Sequence, residues 1–368
     1  MFVLIGLFIL TITPSYAEKQ VPKVAIDLSH GQGKEGLEEL KKILVENGFE
    51  PVFIIQKIDK TVLENVKILI VGEPFYEEYK ELGDDELKAI VEWFNEGGKM
   101  LWVSGACDYN GTGGLKIGYE KIEFANKILS AVGAKIRVEP ASLVKYSKET
   151  SEVLDVIADQ INPDKEVKEL TVNVSKVLFY GSTIVCGYER MFGFLPVYSY
   201  IPLEIEEAQN VFWLIKTGPH SIIFTADERS IPYAHEPYKC PLGELPLTAV
   251  CVCGKEPWKF EEEAMGIYVV MAVEKYAGPK QNNKIVVSGS SPYGEEKSLI
   301  LPVYHGILKN ITLSGPILIK NIVLWGAKTE KAPRSPLFYP MFLLVVIPPI
   351  IVVLVYLKLK TTRVKVSV

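Results

Sequence analysis

The sequence predicts an α/β protein in which a parallel sheet is interrupted by a β-rich insertion and followed by one C-terminal transmembrane helix. Three observations support this fold class. In the first third, apolar strands alternate with amphipathic helices across short loops, which is typical of a parallel sheet with right-handed crossovers. Residues 139–265 carry short β-rich runs divided by Gly and Pro. Residues 337–357 contain no charged side chain and are long enough to span a bilayer.

The first third, residues 18–138, is expected to form the first part of the α/β domain. Asp84 or Asp85 is expected to cap the second helix, and Gly97-Gly98 to end it. The predicted strands cover residues 24–28, 51–55, 66–71, 99–104 and 134–138. The predicted helices present the apolar faces Leu37, Leu40, Ile43 and Leu44; Leu87, Ile90, Val91 and Phe94; and Phe124, Ile128, Leu129 and Val132.

The insertion, residues 139–265, is predicted to have helical pattern only at about 149–160. Its strands are expected at 176–180, 182–187 and 211–216. The closing part of the α/β domain, residues 266–327, is predicted to hold a helix at 266–276, a strand at 284–288 and a helix at 316–325. Residues 328–336, rich in Lys and Pro, are predicted to link this body to the membrane segment.

Both ends of the chain predict export to the cell membrane. Residues 1–17 read as a signal peptide cleaved before Glu18, although the basic n-region is missing; the alternative is a buried N-terminal strand. Residues 337–357 read as the single span, against the alternative of a buried core helix, with Pro348-Pro349 at its middle. Residues 358–368 hold four basic side chains and no acidic one, which places the C-terminus in the cytoplasm and the body outside.

Composition excludes several classes. The formal charge is −5, and because the C-terminal tail is basic the body is more acidic still, which argues against a nucleic-acid partner. Apolar residues make up 48 % and charged residues 23 % of the chain, so a disordered protein is excluded. Glutamine is scarce while Lys, Glu and Ile are abundant, which is typical of a thermophile.

One glycine motif lies between the first strand and the first helix. Gly31-x-Gly33-x-x-Gly36 matches a dinucleotide-binding fingerprint. The second strand, however, ends at Gln56-Lys57 without the acidic residue that would hold a ribose, and nicotinamide cofactors are not expected outside a cell. No cofactor is therefore predicted, and the turn is expected to be a tight βα turn at which His30 and Gln32 face a polar ligand.

Cys107 is the sharpest chemical lead. It follows a predicted strand in Gly105-Ala106-Cys107, a turn that could expose a thiol at a helix N-terminus and lower its pKa. Asp108 beside it would raise that pKa. Residues 103–109 also echo residues 287–293, and loops at the carboxyl ends of parallel strands form ligand crevices. The predicted crevice for a polar ligand or partner comprises His30, Gln32, Cys107, Asp108, Tyr109, Ser290, Ser291 and Tyr293.

Modification sites follow from the predicted export. Cys240 is expected to form a disulfide with Cys251 or Cys253; zinc is the weaker alternative because no CxxC pair is present, and no metal is predicted. Cys186 is expected to be a buried thiol. Sequons predict glycosylation at Asn110, Asn173 and Asn310.

Three segments carry a resemblance to a known family: Val24–Gln32, Ile68–Pro74 and Glu92–Lys99, the last followed by Val103-Ser104-Gly105. They resemble GIFT-type domains, catalytically degenerate relatives of the flavodoxin-like, class I glutamine amidotransferase fold. Such domains occur in ABC-transporter auxiliary proteins, in intraflagellar transport and in the lumenal part of an oligosaccharyltransferase accessory subunit. The likeness is greatest to membrane-anchored archaeal members and covers about 23–138 and, more weakly, 284–327.

The resemblance implies binding or scaffolding without catalysis. The sequence therefore favours a cell-surface subunit that binds a membrane-protein partner or a polar ligand, serving a transporter or a glycan-handling complex. The alternative is a cysteine-dependent hydrolase or amidase that uses Cys107. The amidotransferase pattern has a glycine where Tyr109 stands and a late His-x-Glu pair that this chain lacks, which favours the non-catalytic reading.

Overall fold

The computed structural model describes residues 21–332 except 76–78, 107–113, 140, 146, 148, 151–153, 191–199, 204, 220, 226–264 and 296. The chain forms two compact units, Met1–Glu330 and Lys331–Val368, and the described residues of the second are 331 and 332 alone. Within the described residues, no helix is both long and apolar enough to cross a membrane. The predicted signal peptide, 1–17, and the predicted span, 337–357, lie outside them.

Strands and helices alternate in the first third as the sequence predicts. In chain order they are β1 (Lys23–Asp27), α1 (Leu37–Glu46), β2 (Glu50–Ile54), β3 (Val66–Val71), α2 (Asp84–Asn95), β4 (Met100–Ser104), α3 (Gly114–Ala131) and β5 (Ile136–Val138).

The remaining elements are mostly short strands. They are β6 (Ala141–Lys145), β7 (Asp155–Ala158), β8 (Gln160–Ile161), α4 (Lys168–Thr171), β9 (Val177–Tyr180), β10 (Val185–Arg190), β11 (Tyr200–Leu203), β12 (Val211–Lys216), β13 (Ser221–Thr225), β14 (Met265–Gly266), β15 (Val269–Ala277), β16 (Asn283–Ser288), β17 (Val303–His305), β18 (Asn310–Thr312) and α5 (Gly315–Ala327).

The main sheet has eight strands in the order β2-β1-β3-β4-β16-β15-β12-β8. From β2 to β16 the neighbours are parallel, and from β16 to β8 they are antiparallel. Because β2 and β3 flank β1, the strand order reverses beside β1, as it does in doubly wound sheets. The predicted insertion contributes β8 and β12 to this sheet, so it extends the parallel half.

Helices cover both faces of the parallel strands. Alternate side chains of β1, β3 and β4 pack with α2 and α3 on one face, through residues such as Phe94 and Ile128. The other side chains pack with α1 and α5 on the opposite face, through residues such as Leu40 and Ile322. This double burial explains why these strands are apolar at nearly every position. Gly97 and Gly98 end α2 with φ of 83° and 68°, values that glycine adopts without strain.

Two predicted helices and one predicted cap are wrong. Residues 155–158, inside the helix expected at about 149–160, form β7, which pairs with β9. Residues 269–277, expected to be helical, form β15 between β12 and β16. A strand buried on both faces shows no alternation of apolar and polar residues, so its pattern does not exclude a helix. At α2 the cap position belongs to Gly83, whose N–H donates to the Glu86 carboxylate at 3.0 Å, and Asp84 is the first helical residue.

Candidate functional site

The loops after β1, β3, β4 and β16 all leave the sheet at one edge, because these four strands are parallel neighbours. In open α/β sheets this carboxyl edge is where ligands bind, especially where the strand order reverses. Here that place lies between β1 and β3. The loop after β1 carries His30 and Gln32, and the loop after β16 carries Ser290, Ser291 and Tyr293.

His30 lies between two carboxylates. Its Nδ1 is 2.8 Å from Asp27 Oδ2, and its Nε2 is 3.4 Å from Glu86 Oε2. The side chains of His30 and Asp27 are 2 % and 0 % exposed. Asp27 is the last residue of β1, whereas Glu86 lies in the first turn of α2, so the imidazole joins the strand end to the helix start. We call these three residues the His30 brace.

Asp27 accepts further hydrogen bonds within its own loop. The Ser29 backbone N–H and hydroxyl donate to Asp27 Oδ1 at 3.0 and 2.6 Å. The Gln32 amide nitrogen donates to Asp27 Oδ2 at 2.8 Å, and the Gln32 amide oxygen accepts the His30 backbone N–H at 3.0 Å. A buried carboxylate that accepts this many bonds has its loss of hydration offset. The loop after β1 is therefore built around Asp27.

The two neighbouring carboxylates raise the pKa of His30. Burial alone would lower the pKa of His30, because desolvation disfavours the imidazolium. The hydrogen bond and charge of Asp27, together with the charge of Glu86, outweigh burial and raise that pKa above its ordinary value of 6.5. The brace thus favours the imidazolium form of His30 more than water does.

Tyr293 connects the loop after β16 with β1 and β3. Its hydroxyl donates to the Asp27 backbone carbonyl at 2.5 Å and accepts the Gly72 backbone N–H at 3.0 Å. Burial first, and the negative charge of Asp27 next, hold the pKa of Tyr293 well above its ordinary value of 10.0, so the phenol stays neutral and can donate. A Cβ at Gly72 would lie 2.8 Å from the Tyr293 ring, so glycine is required for this approach.

A segment of the insertion crosses the ends of β4 and β16. Ala106, two residues after the end of β4, forms an isolated antiparallel bridge with Ser182. The Thr183 backbone N–H donates to the Gly289 carbonyl at 3.0 Å, and a Cβ at Gly289 would lie only 2.0 Å from the Thr183 carbonyl oxygen. Ser182 and Thr183 are fully buried. The chain itself therefore fills this part of the carboxyl edge.

Two buried acidic side chains lie in the elements near that segment. Glu139 accepts a hydrogen bond from the Tyr188 hydroxyl, and burial raises the pKa of Glu139 despite this bond. Glu274 on β15 accepts the Lys135 backbone N–H at 2.7 Å, and burial raises the pKa of Glu274 to about 7. Glu274 is therefore protonated in a substantial fraction of molecules near neutral pH.

The structure brings together part of the predicted crevice. His30, Gln32, Ser291 and Tyr293 surround the Asp27–Gly72 region and are all at most 4 % exposed. The Ser290 hydroxyl instead donates to the Tyr180 carbonyl at 3.0 Å. The remaining crevice residues, Cys107, Asp108 and Tyr109, lie outside the described residues.

Some of the predicted modification sites lie within the described residues and others lie outside them. Asn173 and Asn310 are exposed, and Cys186 is a buried thiol. No group of three or more His, Cys, Asp or Glu side chains among the described residues is placed to hold a metal ion. Four predicted modification sites fall outside the described residues: Asn110, Cys240, Cys251 and Cys253.

Sequence reasoning missed the acidic members of the site. Asp27 is the single charged residue of the predicted strand at 24–28, and that was the available signal. Glu86 gave none, because its contact with His30 joins residues 56 positions apart. A second missed cluster lies around Asp155, a fully buried carboxylate that accepts two bonds from Lys297 at 3.0 and 3.1 Å and one from the Tyr304 hydroxyl.

The fold and the filled carboxyl edge define an α/β protein with a doubly wound, parallel-rich sheet. No protein-family model matches the chain, and no curated protein sequence matches it. Among solved structures, the chain is similar to the N-terminal domain of mmIFT52, at 12 % identity and a TM-score of 0.48, over 84 % of this chain and 100 % of that one.

Two further solved structures are less similar. A protein described as a putative GMP synthase component, from Thermoplasma acidophilum, shows 11 % identity and a TM-score of 0.36 over 84 % of this chain and 95 % of that chain. PurLQS from Thermotoga maritima shows 15 % identity and a TM-score of 0.28 over 54 % of this chain and 75 % of that chain. At these values the likeness concerns overall fold, and no functional conclusion rests on it.

Proposed function

We propose that the chain is a cell-surface binding or scaffold protein, anchored by a single membrane span, that does not turn over its ligand. It would serve a transporter or a glycan-handling complex, with the C-terminus in the cytoplasm. The observation that carries this proposal is the carboxyl edge of the parallel strands, the usual ligand site of such sheets, where Ser182 and Thr183 pack against Ala106 and Gly289. The membrane anchor rests on the uncharged residues 337–357 and the basic tail.

The chemistry of acyl transfer supports the non-catalytic reading. A cysteine enzyme needs a thiolate, a base within hydrogen-bond reach and an oxyanion site, all open to substrate. Both ring nitrogens of His30 face carboxylates, and the ring is buried. His305, the other described histidine, bonds through Nδ1 to the Asn310 side chain at 2.9 Å on a separate hairpin. The Thr183 backbone N–H donates to the carbonyl of Gly289, which directly follows β16, the strand that pairs with β4.

We further infer that the fold is of the class I glutamine amidotransferase-like, GIFT type. The support is the order of the parallel strands, β2-β1-β3-β4-β16, which is the flavodoxin-like order of doubly wound sheets. The three family-like segments of the sequence correspond to β1 with its loop, to β3 with its loop, and to the end of α2 before β4.

The partner would bind on the outer side of the loops that the His30 brace holds. Those side chains of the predicted crevice that the structure describes are buried, so their role there is to position the loops. Among the residues that the structure describes on this side, two large apolar side chains are exposed: Ile55, after β2, at 69 %, and Phe75, after β3, at 41 %. The Phe75 backbone N–H donates to the Gly31 carbonyl at 2.7 Å, which connects the loop after β3 to the loop after β1. Exposed apolar side chains on rigid loops suit a protein partner.

Turnover is the experiment that separates the two function classes. The full-length chain in detergent is compared with its Cys107→Ala variant on thiol-reactive amide and ester probes, with Cys186→Ala as the matched control for a buried thiol. We expect no turnover above background in any of the three proteins. Turnover by the wild type and by Cys186→Ala that vanishes in Cys107→Ala would replace the proposal with a cysteine-dependent hydrolase or amidase.

Protease treatment of intact cells tests the proposed topology. With an epitope on the C-terminal tail, added protease should digest the body and leave a short, tagged, membrane-embedded fragment. Permeabilised cells serve as the control in which the tag is also lost. A body that stays intact until the cells are permeabilised would refute export.

A further inference from the structure

The Glu86 carboxylate of the His30 brace connects three parts of the chain. Its Oε1 accepts the Ile58 backbone N–H at 2.9 Å, in the segment that follows β2. Its Oε2 accepts the Gly83 backbone N–H at 3.0 Å, at the start of α2, and lies 3.4 Å from His30 Nε2. One carboxylate therefore holds the segment after β2, the start of α2 and the loop after β1 in a fixed arrangement.

The backbone at the imidazole binds a further segment, the one that follows β3. The His30 carbonyl accepts the Lys80 backbone N–H at 3.3 Å, and the Gly31 carbonyl accepts the Phe75 backbone N–H at 2.7 Å. Exposed Phe75 belongs to this segment, and exposed Ile55 belongs to the segment after β2. The His30 brace thus connects the two segments that present the apolar side chains of the proposed partner surface.

Titratable groups from several elements surround the imidazole. Burial lowers the pKa of His30, but the hydrogen bond and charge of Asp27, followed by the charge and hydrogen bond of Glu86, outweigh burial and raise that pKa above 6.5. The α3 helix presents the Phe124 ring, whose centroid is 5.2 Å from that of the imidazole. Other titratable side chains on the elements around the ring are Glu73 and Tyr79 of the segment after β3, buried Lys121 of α3, and Tyr293 of the loop after β16.

Loss of the His30 proton removes one attachment of the brace. A neutral imidazole carries a hydrogen on one ring nitrogen and a lone pair on the other. The contact of Nδ1 with Asp27 is the shorter one, at 2.8 Å, so we expect Nδ1 to keep the hydrogen. The lone pair of Nε2 then faces Glu86 Oε2, and because two acceptors repel, the carboxylate moves away from the ring. The Ile58 N–H, which this carboxylate accepts, loses its fixed position as a result.

We propose that the His30 brace is a proton-operated latch, which joins the segments after β2 and β3 when the imidazole is charged and separates them when it is neutral. The proposal rests on the proposed function, since the latch regulates the partner surface by setting the arrangement of Ile55 and Phe75. Histidine is suited to this task because its charge changes near neutral pH, and protonation of buried histidines is a known way of switching an interface. The latch is closed at acidic pH and opens as the pH rises.

Hydrogen–deuterium exchange of the full-length chain in detergent tests the latch without any partner. Exchange is followed by mass spectrometry on peptides that contain Ile58, from about pH 5.5 to pH 9, and is corrected for the intrinsic pH dependence of amide exchange. We expect the protection of these peptides to fall at least about tenfold as the pH rises through the pKa of His30. Peptides of α5, on the opposite face of the sheet, should keep their protection over the same range.

Two matched variants of α2 separate the latch from other titrations. In Glu86→Gln the side-chain oxygen still accepts the Ile58 N–H, and the amide N–H donates to a neutral imidazole, so the pH dependence at Ile58 should disappear. Glu92→Gln is the control, because Glu92 is an exposed acidic residue of the same helix, and it should keep the pH dependence of the wild type.

Three results would overturn the proposal. The first is protection at Ile58 that does not change with pH in the wild type, a measurement that requires no variant. The second is the same pH dependence in Glu86→Gln as in Glu92→Gln. The third is an equal fall of protection in α5, since that would indicate global unfolding. None of these measurements depends on export, turnover or a partner, so the proposed function is judged separately by its own experiments.

Discussion

Replacing Tyr293 by phenylalanine isolates one hydroxyl group at the carboxyl edge. The ring keeps its volume, so no cavity term enters. The hydroxyl is lost as donor to the Asp27 carbonyl at 2.5 Å and as acceptor for the Gly72 N–H at 3.0 Å. Each buried backbone group left without its partner costs about 1–3 kcal/mol. Since both groups are affected, we expect Tyr293→Phe to lower the free energy of unfolding by about 2–6 kcal/mol.

Denaturant unfolding of the full-length chain in detergent measures this change. The fluorescence of tryptophan reports it, because Trp102 is fully buried in β4 and donates to the Ser288 hydroxyl at 2.9 Å. The control is Tyr276→Phe, whose hydroxyl has no hydrogen bond among those described and whose ring is partly exposed. A loss below about 0.5 kcal/mol for Tyr293→Phe, equal to that of the control, would refute the view that this hydroxyl ties β1 to β3.

Three further predictions concern titration and cysteine chemistry. Because the pKa of His30 is raised in the folded state, the stability it contributes is complete below pH 6.5 and is lost as the pH rises through the folded value; NMR titration of the imidazole checks this, and an unshifted pKa would contradict it. Glu274 is an acid whose pKa is also raised on folding, from the ordinary 4.5 to about 7, so the free energy of unfolding falls as the pH rises between these values. Glu274→Gln should flatten that fall and stabilise the protein by about 3 kcal/mol at pH 8. Equal pH profiles of variant and wild type would show that this carboxyl is not responsible. Non-reducing peptide mapping should find a disulfide within the insertion, and three free thiols or one bound zinc per chain would contradict the expected pairing of Cys240 with Cys251 or Cys253.

Local sequence pattern was sufficient to predict those helices and strands whose structure is determined by residues close to one another in the chain. The alternation of β1, α1, β2, β3, α2 and β4 follows from apolar periodicity and from glycine at the helix ends, and all six elements lie where the sequence predicts them. The helix predicted at 266–276 was wrong because Met, Ala, Glu and Lys favour helix, whereas the pairing of residues 269–277 with β12 and β16 is a tertiary effect.

The candidate site was predictable only in part. Strand ends in a parallel sheet gather at one edge, which is why His30 and Tyr293 could be placed together from the sequence. The structural role of His30 could not be predicted, because its partner Glu86 lies 56 positions away in the sequence. From the sequence alone, a histidine after a strand is predicted to face a ligand, and only the structure identifies its two carboxylate partners.

The pairing of β4 with β16 has a consequence for how the chain is made. Trp102 and Ser288, which bond across these strands, are 186 positions apart. During synthesis, the strands β1 to β4 emerge long before β16, so β4 stays an open, apolar sheet edge while most of the insertion is being translated. Such edges are prone to aggregation, and sheets closed by distant segments fold slowly. We therefore expect this sheet to close only after β16, residues 283–288, has left the ribosome.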